Sequence, residues 1–294
     1  MENQKDDILM KPRSSRACIG AGYRLYTGNF KRIFRYSWVA ALVYAMVCSA
    51  GGTLMILRPQ AVLITIGIIL VAEALFASYG FAVLKQHQTS GSISLSTKWF
   101  NIDTHIFTRT LKAWLCVAAI FLAVGIVVGG IGLGAVKMLS PYTALGCIGV
   151  ASIIAACLLL PMMYVVPRYI LNDGVGFWSQ LKVGYPVGLR RWGFIFTVIF
   201  VVTLVLMGLQ LITSLPASIL TLANMSSARS MMMGDPSGMP SYIGWLAAAT
   251  FLLIGFIQAY VQLSALFPTY YMYGSIDVQE QERKEFNQNK LTAI

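Results

Sequence analysis

Histidine and acidic side chains are scarce here: two His and 11 Asp plus Glu in 294 residues. That is too sparse a supply for general acid–base work on an ester, and no P-loop, GxSxG or HExxH pattern occurs. His87 and His105 stand in polar connectors with no second ligand at metal spacing, so no metal site is expected. Cys18, Cys48, Cys116, Cys147 and Cys157 form no CxxC pair, and all but Cys18 fall in apolar stretches. A disulfide framework is thereby excluded as the organising device. No paired carboxylates occur inside the apolar runs. The chain therefore reads as a non-enzyme, with no catalytic residue and no cofactor.

Hydrophobic residues, by contrast, make up 57% of the chain and charged ones only 11%, a balance far more apolar than that of a soluble domain. The 22 basic against 11 acidic residues give a net charge of +11. In a soluble protein that excess would raise the question of nucleic acid. No RNP, helix-turn-helix or zinc-finger spacing accompanies it, so nucleic acid is not expected. Basic residues gathered on the cytoplasmic side of spanning helices, against anionic headgroups, explain it better.

Six apolar runs are long enough to cross a ~30 Å hydrocarbon layer at 1.5 Å per residue. They are Trp38–Leu57, Ala61–Leu84, Ala113–Val136, Thr143–Val166, Trp192–Leu215 and Ile243–Phe267. Outer turns are expected at Arg58-Pro59-Gln60 and Lys137–Tyr142, with an outer loop over 216–242. Pro161 is expected to kink span four and Pro167 to close it. Gly125, Gly129, Gly130 and Gly134 in span three form two GxxxG patterns, read as a helix-packing seam. Of the 22 basic residues, only Arg58, Lys137 and Arg229 then lie outside, so both termini are expected in the cytoplasm of a multi-pass bacterial inner-membrane protein.

A basic, aromatic junction enters an apolar run three times. It ends at Trp38 (NFKRIFRYSW), Trp114 (FTRTLKAW) and Trp192 (GLRRW), 76 and 78 residues apart. Arg35, Lys112, Arg190 and Arg191 accompany the tryptophans, and the set is read as interface anchors. Before Trp38, the residues Ile19, Tyr23, Tyr26, Phe30, Ile33 and Phe34 recur at helical steps, as in a helix lying on the membrane surface.

The expected fold is all-α: six transmembrane helices in three hairpins, each preceded by an amphipathic interfacial helix, as a threefold repeat of about 77 residues. Residues 1–17 are expected as a flexible cytoplasmic tail and 18–273 as one membrane domain, with repeats near 18–90, 91–170 and 171–273. Residues 274–294 are read as a polar cytoplasmic tail. The polar start before the first apolar run is too long for a signal-peptide n-region, so that run reads as a retained anchor.

Glu73 is the only acidic residue inside an expected span. Ionised and facing lipid it would cost about 2.5–3.5 kcal/mol, so it is expected to face the bundle or a wet cavity, or to be protonated. Gln210, Gln258 and Gln262 are candidate partners. Together these four form the candidate polar cavity, against the plainer reading of hydrogen bonds between helices.

The stretch PRYILNDGVGFWSQLKVGYPVGLRRWGFIFTVIF resembles bacterial integral-membrane families grouped around the membrane domain of glycerophosphodiester phosphodiesterases. In these a span ends near a proline, a short amphipathic segment follows, and an aromatic leads into the next span. The resemblance implies a fold and a membrane address, with no activity and no site residue to transfer. The His and Glu residues that a phosphodiesterase domain uses are missing. The expected function is binding or transport of a hydrophobic or amphiphilic molecule, with membrane lipids, a protein partner or a second copy as partners. The alternative is a structural or regulatory scaffold whose surface helices contact lipid.

Overall fold

The structure, a computed structural model, describes residues 9, 11–57, 62–93, 103–138, 140–234 and 242–292. Every regular element among them is an α-helix: α1 Ser15–Gly28, α2 Phe30–Leu57, α3 Val62–Ser90, α4 Thr104–Met138, α5 Pro141–Leu159, α6 Met162–Leu171, α7 Phe177–Arg190, α8 Trp192–Met232 and α9 Ile243–Thr292. Six stretches are long and apolar enough to cross a membrane: Phe30–Met55, Ile64–Ser90, Thr104–Ala135, Tyr142–Leu171, Trp192–Met232 and Ile243–Lys290. The fold fits a multi-pass membrane protein.

Helix ends follow local chemistry. Asp103 accepts from the His105 and Ile106 amides at 3.0 and 3.3 Å and so caps α4. Ser140 accepts from Thr143, with Pro141 in the first turn of α5. Gly91, Gly174 and Gly234, beyond the ends of α3, α6 and α8, have φ of +67°, +88° and +94°. That left-handed region suits only glycine routinely.

The chain divides into two compact units. One combines Gly20–Phe107 with Phe200–Pro268. Its helices meet through small residues: a Cβ on Gly255 of α9 would stand 3.1 Å from the Ala45 Cα of α2, and one on Gly51 would stand 2.7 Å from Thr65 of α3. Ser49 donates to the Ala248 carbonyl at 2.7 Å. Around Tyr260, the rings of Phe30, Phe34, Phe76 and Phe256 lie 5.4–5.9 Å away, spacings at which aromatic pairs attract.

The other unit combines Met1–Ile19, Thr108–Ile199 and Thr269–Ile294. Its core runs from the end of the expected membrane domain into the expected tail: Tyr270, Tyr271, Met272 and Tyr273, then Ser275 and Ile276, are wholly buried. Leu9 packs on Gly274. The Arg13 amide donates to Ser275 Oγ at 2.9 Å, and Ser275 Oγ donates back to the Arg13 carbonyl at 3.2 Å. The Arg13 guanidinium stands 4.8 Å from the Tyr271 ring centroid. Leu9 and Arg13 are thus held against α9, and α9 runs unbroken from its apolar part into the exposed stretch 281–290.

Several boundaries differ from expectation. Residues 216–232 continue α8 as helix instead of forming a loop. There, Ser218 and Thr221 return their hydroxyls to carbonyls four residues back, which lets polar residues sit inside a helix. Pro161 does interrupt span four, separating α5 from α6, but Pro167 lies inside α6 and ends nothing. Phe30–Trp38 belongs to α2 and Thr104–Lys112 to α4, so among the described residues α1 and α7 are the separate short helices that precede an apolar one. The expected turn at 58–60 lies outside the described residues, as does most of the second expected surface segment.

The glycines of span three correct a further expectation. Gly125, Gly129, Gly130 and Gly134 have open space where a Cβ would project; only Gly132 meets a neighbour, Ile148. Close glycine approaches sit instead on α1, α2, α3, α7 and α9.

Candidate functional site

Pro161 has no amide hydrogen, so the carbonyl four residues earlier, on Cys157, loses its helical donor. Trp192 supplies one: its indole Nε1–H donates to the Cys157 oxygen at 3.0 Å. The next carbonyl, Leu158, accepts from the Tyr185 hydroxyl at 2.9 Å. Two aromatic side chains therefore satisfy the backbone that the break at Pro161 sets free, and they fix α7 and the start of α8 to the end of α5.

On the opposite side α7 closes onto α6 through glycine. A Cβ on Gly188 would lie 2.8 Å from Pro161 Cβ, and one on Gly184 would lie 3.2 Å from Val165. Ion pairs tie both helices to α9. Arg168 faces Asp277 at 3.6 Å, Asp277 accepts from Tyr164, and Arg190 donates to Glu280 at 3.1 Å. Tyr164, Arg168, Asp277 and Glu280 border a polar crevice of about 100 Å³ that also includes Lys284. Arg109, at the start of α4, is buried. It donates to the carbonyls of Tyr169, Asn172 (2.7 Å) and Val175 (3.4 Å), and its guanidinium stands 4.3 Å from the Tyr169 ring centroid. It thereby serves the carbonyls that the end of α6 leaves open.

This framework holds α7 beside a cleft of about 750 Å³ between α4 and α5. Ile120, Val124, Val127 and Ile131 form one wall, and Ala151, Ala155 and Leu158 the other. Leu181, Lys182, Tyr185 and Pro186 of α7 edge one end. From Ile120 to Ile131 the wall rises roughly 16 Å, about half of a ~30 Å hydrocarbon core. The volume falls within the ~300–1,000 Å³ usual for ligand sites. A second, shallower apolar hollow of about 590 Å³ in the other unit lies between Met46–Leu54 and Trp245–Leu252.

Glu73 is half-buried on α3, close to Tyr44 and Cys48 of α2. Tyr44 donates to Gln262 Oε1 at 3.4 Å, so Glu73 and Gln262 share one polar cluster. Gln258 donates instead to Thr213, and Gln210 is exposed. None of the four lines the α4–α5 cleft. Trp38 and Trp114 lie within α2 and α4, whereas Trp192 opens α8, and the Trp114 Nε1 is buried without a partner among the described residues. Arg35 and Lys112 are exposed, Arg190 is paired with Glu280, and Arg191 is half-buried. Among the described residues no cluster of His, Cys, Asp or Glu could hold a metal ion.

No family model, curated protein or solved structure matches this chain. Tyr185 falls in a rough apolar stripe with Phe177, Trp178, Leu181, Leu189 and Trp192, but its hydroxyl's partner, the role of Arg109 and the cleft itself had no signal in the apolar periodicity. The one available clue was Pro161 within a hydrophobic run, which implies a free carbonyl in need of a donor.

Proposed function

We propose that this protein is a non-enzymatic inner-membrane protein that binds an amphiphilic molecule, for storage, presentation or transport, with both termini in the cytoplasm. The cleft between α4 and α5 carries the reading. Its walls are apolar along their length, and its polar groups stand only at the α7 end. That gradient matches a molecule with a hydrocarbon body and a polar head. Inside a bilayer the hydrophobic effect gives a chain little reason to leave lipid for protein. Selectivity must therefore come from shape and from the polar end.

The test is purification in native-lipid particles, with mass spectrometry comparing bound amphiphiles with those of the bulk membrane. Enrichment of one class supports the proposal; a profile equal to the bulk lipid overturns it. The alternative of a scaffold draws on a specific feature, the exposed end of α9 over 281–290. A charged helix reaching past the apolar part is a surface that a protein partner could grip, and pull-down with and without residues 281–294 tests that reading.

A further inference from the structure

The cleft has a definite polar end, and its charge is of one sign. Lys182 is exposed on α7 and lines the opening. Among the described residues it has no hydrogen-bond or ion-pair partner, and no carboxylate lines the cleft with it. Asp277 and Glu280, the acidic groups bordering the α6–α7–α9 crevice, are engaged there by Arg168 and Arg190. Trp178 and Leu189 are exposed at helical steps from Lys182 and Tyr185. An aromatic residue, a lysine and apolar neighbours on one face is the pattern of a helix at the depth of lipid headgroups.

Below that face the cleft descends about one leaflet, roughly 16 Å from Ile120 to Ile131. A lipid of that leaflet would lay its chain between α4 and α5 and bring its headgroup to Lys182. We propose that the cleft selects an anionic phospholipid, with the phosphate and the net negative charge of the headgroup recognised by the Lys182 ammonium. Tyr185 bounds the headgroup on the same face while its hydroxyl stays committed to Leu158. Zwitterionic lipids would fit the chain cavity equally well, but their own cation would compete with Lys182 for the phosphate. This inference rests on the cleft being a lipid site, and the experiment separates the two claims.

The whole protein is delipidated in detergent and titrated with phosphatidylglycerol and phosphatidylcholine of identical acyl chains, with bound lipid counted by native mass spectrometry. Lys182→Gln, Lys182→Glu and the cleft-filling Ala155→Trp are titrated alongside. A lysine near a charged surface contributes about fivefold in affinity. Wild type is expected to prefer phosphatidylglycerol by about that factor, Lys182→Gln to lose the preference and Lys182→Glu to reverse it. Ala155→Trp should weaken both lipids. Equal binding of the two lipids to wild type, still blocked by Ala155→Trp, overturns the headgroup assignment and leaves the lipid site standing. Binding of either lipid that Ala155→Trp does not change overturns both. Undiminished preference in Lys182→Gln assigns the selectivity elsewhere and overturns the role of Lys182.

Discussion

Trp192 shows how one side chain can carry a role that its surroundings in the sequence conceal. Beside Arg190 and Arg191 it reads as an interface anchor, yet its indole answers a carbonyl orphaned by Pro161, 31 positions earlier. Replacing it with Phe keeps the ring and removes the donor, leaving a partly buried oxygen unpaired. Trp192→Phe should therefore cost about 1–3 kcal/mol, seen as a lower unfolding temperature in detergent; Trp114→Phe, whose indole has no partner among the described residues, should not. Arg109 is the parallel case. Counted by sequence as one more cytoplasmic charge, it is buried among carbonyls at the end of α6, and Arg109→Ala should destabilise by about 3 kcal/mol. Cys18 is wholly buried, its thiol facing the Tyr271 carbonyl. Burial pushes its pKa up to about 11, outweighing the opposing charge of Arg13. At pH 8 a maleimide should leave Cys18 unmodified until the protein is unfolded; rapid labelling of the native protein would place it elsewhere.

At the level of elements, the spans themselves were readable because lipid demands long apolar runs and internally satisfied backbone. Where each helix stops was not readable from apolarity. α8 and α9 run through polar residues that a hydropathy reading assigns to loop or tail, since hydroxyls can bond back to their own helix and buried tyrosines can continue a core beyond the hydrocarbon. Glycine spacing was equally ambiguous: GxxxG states that a neighbour can approach, without saying that one does. Gly255→Leu, which would collide with the α2 backbone, should destabilise by about 1–3 kcal/mol or more. Gly129→Leu should be close to neutral, and a large loss there would mean that α4 meets a partner. Gly188→Leu should push α7 off Pro161 and reduce lipid retention along with stability.

For the whole molecule, the proposed orientation has a direct check in cells. Ser92 and Met232 are both exposed and lie at the ends of α3 and α8. Cysteines placed there should react from opposite sides of the membrane with an impermeant maleimide, Met232→Cys from outside; labelling from the same side would overturn the topology. The functional reading turned on a feature that no single residue announces. Glu73, the obvious intramembrane oddity, joins a polar cluster with Tyr44, Cys48 and Gln262, while the larger apolar cleft lies among residues whose sequence is unremarkable apolar span. Its existence depends on Pro161 breaking a helix and on two aromatics holding α7 at the break. The central claim is that this cleft holds a lipid chain. Native mass spectrometry of detergent-purified wild type, Ala155→Trp and Ile153→Trp tests it most directly, because Ala155 lines the cleft and Ile153 is an exposed α5 residue that does not. The account predicts one retained lipid on wild type and on Ile153→Trp, and none on Ala155→Trp. Equal retention by all three, or none by wild type, would contradict it.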